Sequence, residues 1–324
     1  MTINTIAVLT SGGDSPGMNA AIRSVVRSAL GKKWDVYGVK KGYSGLLANN
    51  FIKMDASSVG NIIGHGGTIL QTSRCKEFLE RKHRETATQI LKDRDIDALV
   101  VIGGNGSFNG AFCLNNEFNF PVIGIPGTID NDISGSDYTI GFDTAVETAV
   151  NAVDKIRDTA FAHDRTFLIE VMGRKSGAIA LKVGICSGAE NVLLPQEEVD
   201  VQKLSDDIRK GIRRGKKSSI IIVAEGKVVG RSYEIAKKLK GTENIQARVC
   251  VLGHIQRGGS PSPNDRFYAA QMGSLAIEAP FEGKKCHATV VKDGRVTLNE
   301  LKNCLDKRDN LFDDIKNLTS QLSI

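Results

Sequence analysis

Two acids one residue apart, Asp130 and Asp132, stand in the stretch Pro126-Gly127-Thr128-Ile129-Asp130-Asn131-Asp132, directly after the apolar run Val122-Ile123-Gly124-Ile125. One carboxylate in such a loop could take a proton from a substrate hydroxyl while its neighbour faces a metal or an arginine, which is the makeup of a phosphoryl-transfer centre. The apolar run reads as a strand, and the carboxyl ends of strands are where open α/β sheets bind ligands. The competing explanation is an Asp-rich turn, because Gly, Asn and Asp dominate turns in general. The rest of the chain has to decide between them.

A strand pattern at Ile6-Ala7-Val8-Leu9-Thr10 runs into Ser11-Gly12-Gly13-Asp14-Ser15-Pro16-Gly17 and then into a helix pattern. Glycines let backbone amides approach a phosphate, and the helix N-terminus that follows favours negative charge. The spacing is neither GxGxxG nor GxxxxGK[ST], so neither a dinucleotide fingerprint nor a P-loop is indicated. A second glycine loop, Gly103-Gly104-Asn105-Gly106-Ser107, follows the strand pattern Leu99 to Ile102 and opens another helix. Two such loops in one lobe can cradle one polyphosphate from two sides. Between them Gly66-Gly67-Thr68 precedes Thr72-Ser73-Arg74, a loop-borne guanidinium able to bridge phosphates. Further on, Met172-Gly173-Arg174 ends one strand pattern and His254-Ile255-Gln256-Arg257-Gly258-Gly259-Ser260 ends another. With Arg165 and Arg248 they form a histidine-arginine set suited to a dianionic phosphate, since arginine binds it bidentately and keeps its charge.

The elements that must carry these loops alternate as parallel α/β architecture does. Strands are expected at Ile6 to Thr10, Val36 to Val39, Leu99 to Gly103 and Val122 to Ile125, with helices over Met18 to Leu30, His83 to Arg94 and Ser107 to Leu114. Phe142 to Phe161 is helical in pattern and long enough to join two lobes. The pattern then restarts with strands at Phe167 to Val171, Val192 to Leu194, Ile220 to Ala224 and Val249 to Leu252, and helices near Gly177 to Ser187, Val201 to Arg214 and Tyr233 to Leu239. Residues 264 to 279 read as a helix, Ala288 to Val291 as a strand, and Asp306 to Ile324 as a short helix with a loose tail.

At 324 residues the chain has room for two such lobes. No apolar stretch approaches the ~20 residues of a membrane span. Met1-Thr2-Ile3-Asn4 leads straight into a strand pattern, with no export signal, so a cytoplasmic protein without a membrane partner is expected. Six cysteines are scattered without metal-ligand or redox spacing, as befits reduced thiols. A net charge of +6 is too modest for a committed nucleic-acid binder. The one dense basic run (Arg209, Lys210, Arg213, Arg214, Lys216, Lys217) reads either as a solvated helix end closed by Gly215 or as a site for small phosphorylated anions.

With these residues assembled, the chain closely resembles the ATP-dependent 6-phosphofructokinases of the bacterial type. LTSGGDSPGMNAAIR, ALVVIGGNGS, PGTIDNDI, DYTIGFDTA, EVMGR and VLGHIQRGGSP occur in the family's order, and the likeness runs from Ile6 to about Gly283. The resemblance implies an α/β protein of two Rossmann-like lobes with the active site in the cleft between them, assembled as a homotetramer. The larger, ATP-binding lobe is expected over 1–141 and 255–305, and the smaller, sugar-phosphate-binding lobe over 142–254 and 306–324. It implies magnesium-dependent transfer of the γ-phosphoryl group of ATP to the 1-hydroxyl of fructose 6-phosphate. Asp130 would be the base, Asp132 would organise magnesium, Thr128 would hydrogen-bond the transferring group, and Arg174 and Arg74 would offset its charge. ATP would lie across Gly13, Arg74, Cys75, Gly104, Asn105, Gly106 and Ser107. Fructose 6-phosphate would meet Thr128, Ile129, Asp130, Met172, Gly173, Arg174, Glu225, His254, Ile255, Gln256 and Arg257, with Arg165 and Arg248 reaching it from an adjacent subunit.

Three places bear on donor, metal and regulation. Pyrophosphate-dependent relatives carry aspartate where this chain has Gly106 and lysine where it has Gly127, so ATP is the expected donor and pyrophosphate the alternative. The family's metal-binding aspartate in the second glycine loop is replaced by Asn105, an uncharged ligand that should weaken magnesium; this keeps open a non-catalytic regulatory subunit. Residues matching the family's effector site, for ADP or phosphoenolpyruvate, are Arg23, Arg27, Arg157, Gly188, Ala189, Glu190, Arg214 and Lys216, but Ala56 and Ser57 replace an arginine and a tyrosine there.

Overall fold

In the computed structural model, which describes residues 3–163, 165–280, 283–306 and 313–322, the chain divides into two units. One comprises Met1–Thr144 and Arg257–Arg308, the other Ala145–Gln256 and Asp309–Ile324. Residues 307–312 and 323–324 of the expected C-terminal segment lie outside the described residues.

The first unit holds strands β1 (Thr5–Ser11), β2 (Asp35–Val39), β3 (Phe51–Met54), β4 (Ala98–Gly103) and β5 (Val122–Pro126). Its helices are α1 (Met18–Gly31), α2 (Gly42–Leu47), α3 (Arg81–Asp93) and α4 (Asn105–Phe118), and α5 (Phe142–Ala162) begins in it. The sheet is seven-stranded, and its order is completed by the two strands furthest along the chain, as described below. Strands β1, β4 and β5 are short apolar runs because both faces of a parallel sheet are covered. Ile6, Val8, Val100 and Ile102 pack on one side, with Met18, Ile22 and Val25 of α1. Ala7, Leu9, Leu99 and Val101 pack on the other, with Phe108, Ala111 and Leu114 of α4.

The second unit continues α5 and adds β6 (Thr166–Val171), α6 (Ala178–Ser187), β7 (Asn191–Leu193), α7 (Val201–Arg213), β8 (Ser219–Ala224), α8 (Arg231–Glu243) and β9 (Ala247–Val251). Its four strands are parallel, in the order β7-β8-β6-β9. Leu168, Ile221 and Val223 of the sheet meet Leu204, Ile208, Ile235 and Leu239 of α7 and α8. The chain then returns to the first unit with α9 (Pro263–Glu278), β10 (Cys286–Lys292) and β11 (Arg295–Glu300), and ends in α10 (Asp313–Leu322), whose range belongs to the second. With these named, the first sheet reads β11-β10-β5-β4-β1-β2-β3, parallel except at its rims, where β2–β3 and β10–β11 are antiparallel.

The expected strands and helices are present, with ends moved by up to a few residues. The elements not anticipated are α2, β3 and β11, all short and none of them strongly patterned. No helix among the described residues is long and apolar enough to cross a membrane.

Candidate active site

Three of the expected phosphate and acid loops leave adjacent strands of the first sheet at one level. Ser11 at the end of β1 pairs with Gly103 at the end of β4, and Gly103 pairs with Pro126 at the end of β5. Gly12 to Gly17, Gly104 to Ser107 and Gly127 to Asp132 therefore emerge side by side, as the ligand-binding ends of a parallel sheet should. The register is continued past the strands, since the Gly127 amide donates to the Gly103 carbonyl at 3.0 Å.

Within the acid loop the Asp130 amide donates to Thr128 Oγ1 at 3.3 Å, which leaves the threonine hydroxyl proton free to point at an incoming oxygen. Thr139 Oγ1 donates to the Thr128 carbonyl at 2.6 Å. Asn131 has φ 46°, the left-handed region that asparagine tolerates, and it turns the chain between the two aspartates. Thr128, Asp130 and Asp132 are half-buried, and Ile129 is wholly buried, so what it can offer a ligand is backbone.

The second glycine loop is joined to this one by Asn105, whose Nδ2 lies 3.4 Å from the Asp132 carbonyl oxygen. Ser107 is buried with its hydroxyl donated to the Ser11 carbonyl at 2.9 Å, so its part in binding is confined to the main chain. At Gly106 a Cβ would meet nothing within 4 Å, so a side chain there would project into the open space above the loop. Gly127 differs: a Cβ would stand 3.0 Å from Ile102 Cγ2 and 3.2 Å from Met18 Cε. Packing alone favours glycine at 127 in this chain, so the donor inference rests on Gly106.

Gly13 is exposed, and a Cβ on it would fall 2.4 Å from Arg257 Nη1, which donates to the Asp14 carbonyl at 2.8 Å. The Arg257 guanidinium thus covers the tip of the first glycine loop, a juxtaposition that sequence spacing could not reveal. Arg74 is exposed on its loop. Cys75 is half-buried with its thiol 3.5 Å from Glu77 Oε2, and helps hold that carboxyl below its usual range, after the Glu77 amide itself.

The second unit gathers a separate set in the same manner. Val171 at the end of β6 pairs with Ala224 at the end of β8, and Glu170 pairs with Val251 at the end of β9. Met172 to Arg174, Glu225 and Gly253 to Gln256 therefore follow neighbouring strands. Gly173 has φ +143°, and a Cβ would stand 2.4 Å from the Ser176 carbonyl oxygen, so this turn needs glycine. Arg174, His254 and Ile255 are exposed, whereas Met172 and Glu225 are buried. Gln256 is fully buried: its Oε1 accepts from the Met172 amide at 3.3 Å and its Nε2 donates to the Gly253 carbonyl at 3.0 Å. Its side chain is thereby engaged with Met172 and the turn, which leaves its main chain to face a ligand.

Arg165 and Arg248 are not brought to this end. Phe167 of β6 pairs with Arg248 of β9, and Arg165 precedes β6, so both lie toward the amino ends of their strands. At about 3.3 Å per residue the five residues from Phe167 to Met172 span about 16 Å.

Of the residues matched to an effector site, those in the second unit other than Arg214 gather at the end of α6. Arg157 Nη2 donates to the Ser187 carbonyl and, at 3.4 Å, to that of Gly188. Lys216 pairs with Glu190 at 3.3 Å. Arg23 and Arg27 lie on α1 in the other unit, with Arg27 exposed, as is Arg214. Ala56 and Ser57 lie in an exposed turn, where the Ser57 and Ser58 hydroxyls and the Ser58 amide donate to Asp55 and hold its carboxyl at about 2. The dense basic run is a helix end with its own partners: Arg209 pairs with Glu243 at 3.0 Å, Lys210 with Asp207 at 3.5 Å, and Lys217 lies 5.7 Å from the centre of the Phe161 ring. All six cysteines are free.

Known proteins resemble the chain over nearly its whole length. The phosphofructokinase family model matches residues 5–280. The ATP-dependent 6-phosphofructokinase of Bacillus pumilus is 49% identical over 319 residues, covering 98% of this chain and 99% of the relative. The structure of Pichia pastoris phosphofructokinase in the T-state superposes with a TM-score of 0.88 at 33% identity, covering 100% of this chain and 40% of that one, so the chain spans less than half of the yeast protein. A pyrophosphate-dependent phosphofructokinase from Marinobacter aquaeolei matches with a TM-score of 0.84 at 21% identity, covering 99% of this chain and 92% of that one, a likeness of fold. The chain belongs to the phosphofructokinase family.

Proposed function

We propose that the protein is an ATP-dependent 6-phosphofructokinase, transferring the γ-phosphoryl group of ATP to the 1-hydroxyl of fructose 6-phosphate. The observation that carries this reading is the register of β1, β4 and β5, which sets two glycine loops and the acid loop at one sheet end within one unit. Asp130 accepts the hydroxyl proton as the new bond forms, Thr128 donates its hydroxyl to the transferring group, and Arg74 and Arg174 offset the charge that spreads over its oxygens. The nucleotide lies along Gly13, Arg74, Cys75 and Gly104 to Ser107, with the unit that holds them as the ATP lobe. The sugar phosphate is held by Thr128 to Asp130, Met172 to Arg174, Glu225, His254, Ile255 and Arg257.

Magnesium belongs to the same proposal. Among the described residues no group of three or more His, Cys, Asp or Glu side chains gathers to cage a metal. The donors at hand fit a different mode, because magnesium keeps waters and leans on phosphate oxygens, needing one or two protein oxygens. Asp132 and the neighbouring Asn105 amide would hold it, and when bound it neutralises polyphosphate charge. Asn105→Asp should lower the magnesium concentration needed for half-maximal rate severalfold. An unchanged magnesium dependence would show that Asn105 does not limit metal binding.

One assay tests the whole reading. Purified protein is given fructose 6-phosphate with ATP or with pyrophosphate across a magnesium titration. Turnover with ATP alone is expected, pyrophosphate turnover would reverse the donor assignment made from Gly106, and no turnover with either would favour a regulatory subunit. Run over fructose 6-phosphate concentration with and without ADP, the same assay tests the effector cluster: relief of sigmoidal kinetics supports it, and hyperbolic kinetics indifferent to ADP sinks it. The placing of Arg165 and Arg248 away from Met172 to Arg174 supports a homotetramer in which they serve a neighbouring subunit's site. Full activity from a species that sediments as a monomer would overturn that. A cytoplasmic location, supported by the free thiols, would fail if fractionation placed the protein outside the cell's reducing compartment.

A further inference from the structure

Asp265 belongs to none of the loops described above, and it lies in the first turn of α9 with no exposed surface. Its carboxylate nevertheless receives Tyr138 Oη at 2.6 Å, the Gly141 amide at 2.6 Å, the Thr144 amide at 2.9 Å and the Thr144 hydroxyl. These four donors come from residues 138–144, which run from just past the acid loop into the first turn of α5, and the Ser262 hydroxyl adds a longer contact at 3.5 Å. Burial raises the Asp265 carboxyl above its usual range and the donors oppose that rise. Burial also raises the Tyr138 phenol, helped by the facing carboxylate, so it stays a donor. A carboxylate, which only accepts, is the group this ring of donors fits.

The clamped segment is in turn bonded to the acid loop. Thr139 Oγ1 donates to the Thr128 carbonyl at 2.6 Å, the Ile140 amide donates to the Pro126 carbonyl at 2.8 Å, and Gly127 and Ile140 form a parallel bridge. It also presses on the first glycine loop: a Cβ at Gly17 would stand 2.6 Å from Ile140 Cγ2, and one at Gly141 would stand 2.6 Å from Ser15 Cβ. The segment thus touches the strand exits that present Asp130 and Gly13.

We propose that Asp265 is a positioning residue for phosphoryl transfer: its carboxylate fixes Tyr138 to Thr144, and through Thr139 and Ile140 that segment fixes the main chain carrying Thr128 and Asp130. The inference deepens the functional reading given above and rests on it for its kinetic half. Reactions that depend on in-line geometry lose about a hundredfold for a misplacement near 1 Å, so a loosened link should cost rate before it costs binding.

The test separates the hydroxyl link from simple packing. Thr139→Val keeps shape and branching but removes the donor, whereas Thr139→Ser keeps the donor and removes the methyl. Valine is expected to lower kcat about tenfold with KM for ATP nearly unchanged, and to speed amide hydrogen exchange at Gly127 to Asp130 while β4 keeps its protection; serine should restore both. Tyr138→Phe and Asp265→Asn probe the anchor itself, the latter by setting an amide N–H against donors, and Thr139→Val remains readable if Asp265→Asn does not fold. The proposal is overturned if valine leaves kcat and exchange at wild-type values, or if serine behaves as valine does. Should the wild-type protein turn over neither donor, the functional reading fails and the exchange rates alone decide the positioning role.

Discussion

Asp130→Asn is expected to lower kcat for ATP-dependent phosphorylation of fructose 6-phosphate by about 10²- to 10⁴-fold, the range a positioned general base supplies. Asparagine has the shape of aspartate but cannot take the hydroxyl proton. The neighbouring bonds use main chain: the Asp130 amide on Thr128 Oγ1 and the Thr128 carbonyl under Thr139 are untouched by the change. Those two bonds should therefore persist, and an isosteric change at this half-buried position should cost about 1 kcal/mol of stability. KM for the sugar phosphate should move little, because the loss falls on the transition state. A variant with wild-type kcat would remove Asp130 from the chemistry, and one that fails to fold would show the loop to be structural first.

Glu170→Ala is expected to destabilise the second unit by about 3–5 kcal/mol, since each buried donor left unsatisfied costs about 1–3 kcal/mol. Glu170 is 1% exposed, and its carboxylate accepts from the Gly230 amide at 2.6 Å, the Ser232 amide at 2.8 Å and the Ser232 hydroxyl at 2.7 Å. Gly230, which opens α8, has φ 92° and no side chain with which to cap the helix, so a carboxylate from β6 does it instead. Unfolding monitored by circular dichroism should show the midpoint falling by roughly 10 °C. Glu170→Gln, which keeps one accepting oxygen, should recover part of the loss. Two residues beyond Glu170 lies Met172, so a looser β6 should also raise KM for fructose 6-phosphate more than KM for ATP. An unchanged midpoint for the alanine variant would mean that water replaces the carboxylate without cost.

Much of this architecture was legible in the residues themselves. Central parallel strands are buried on both faces, so β1, β4, β5, β6 and β8 appear as short apolar runs, and the glycines after them mark where the chain must turn close to a ligand. The acid loop, both glycine loops and the two arginine-bearing turns were found on that basis. Elements at the rims were not. β3 (Phe51–Met54) mixes lysine with apolar residues, and β11 alternates partly exposed and exposed positions; each is held by one antiparallel neighbour. Helix α2 is only six residues long, too short for a helical period to show.

By itself the sequence determined which residue types are available and which loop each one tips: an acid pair at 130 and 132, glycines before two helices, an uncharged Asn105 in the second glycine loop. Tertiary structure decided their company. The order β5-β4-β1 brings the acid loop to the same sheet end as a glycine loop more than a hundred residues earlier. Arg257 reaches Asp14 across 243 positions and Asp265 reaches Thr144 across 121. Packing claimed Gly127, and buried hydrogen bonds claimed the side chains of Ser107 and Gln256. The physical reason is that local pattern records only whether a position faces water or protein, whereas the partner of a buried donor or acceptor is set by the pairing of distant strands, which no short window of sequence contains.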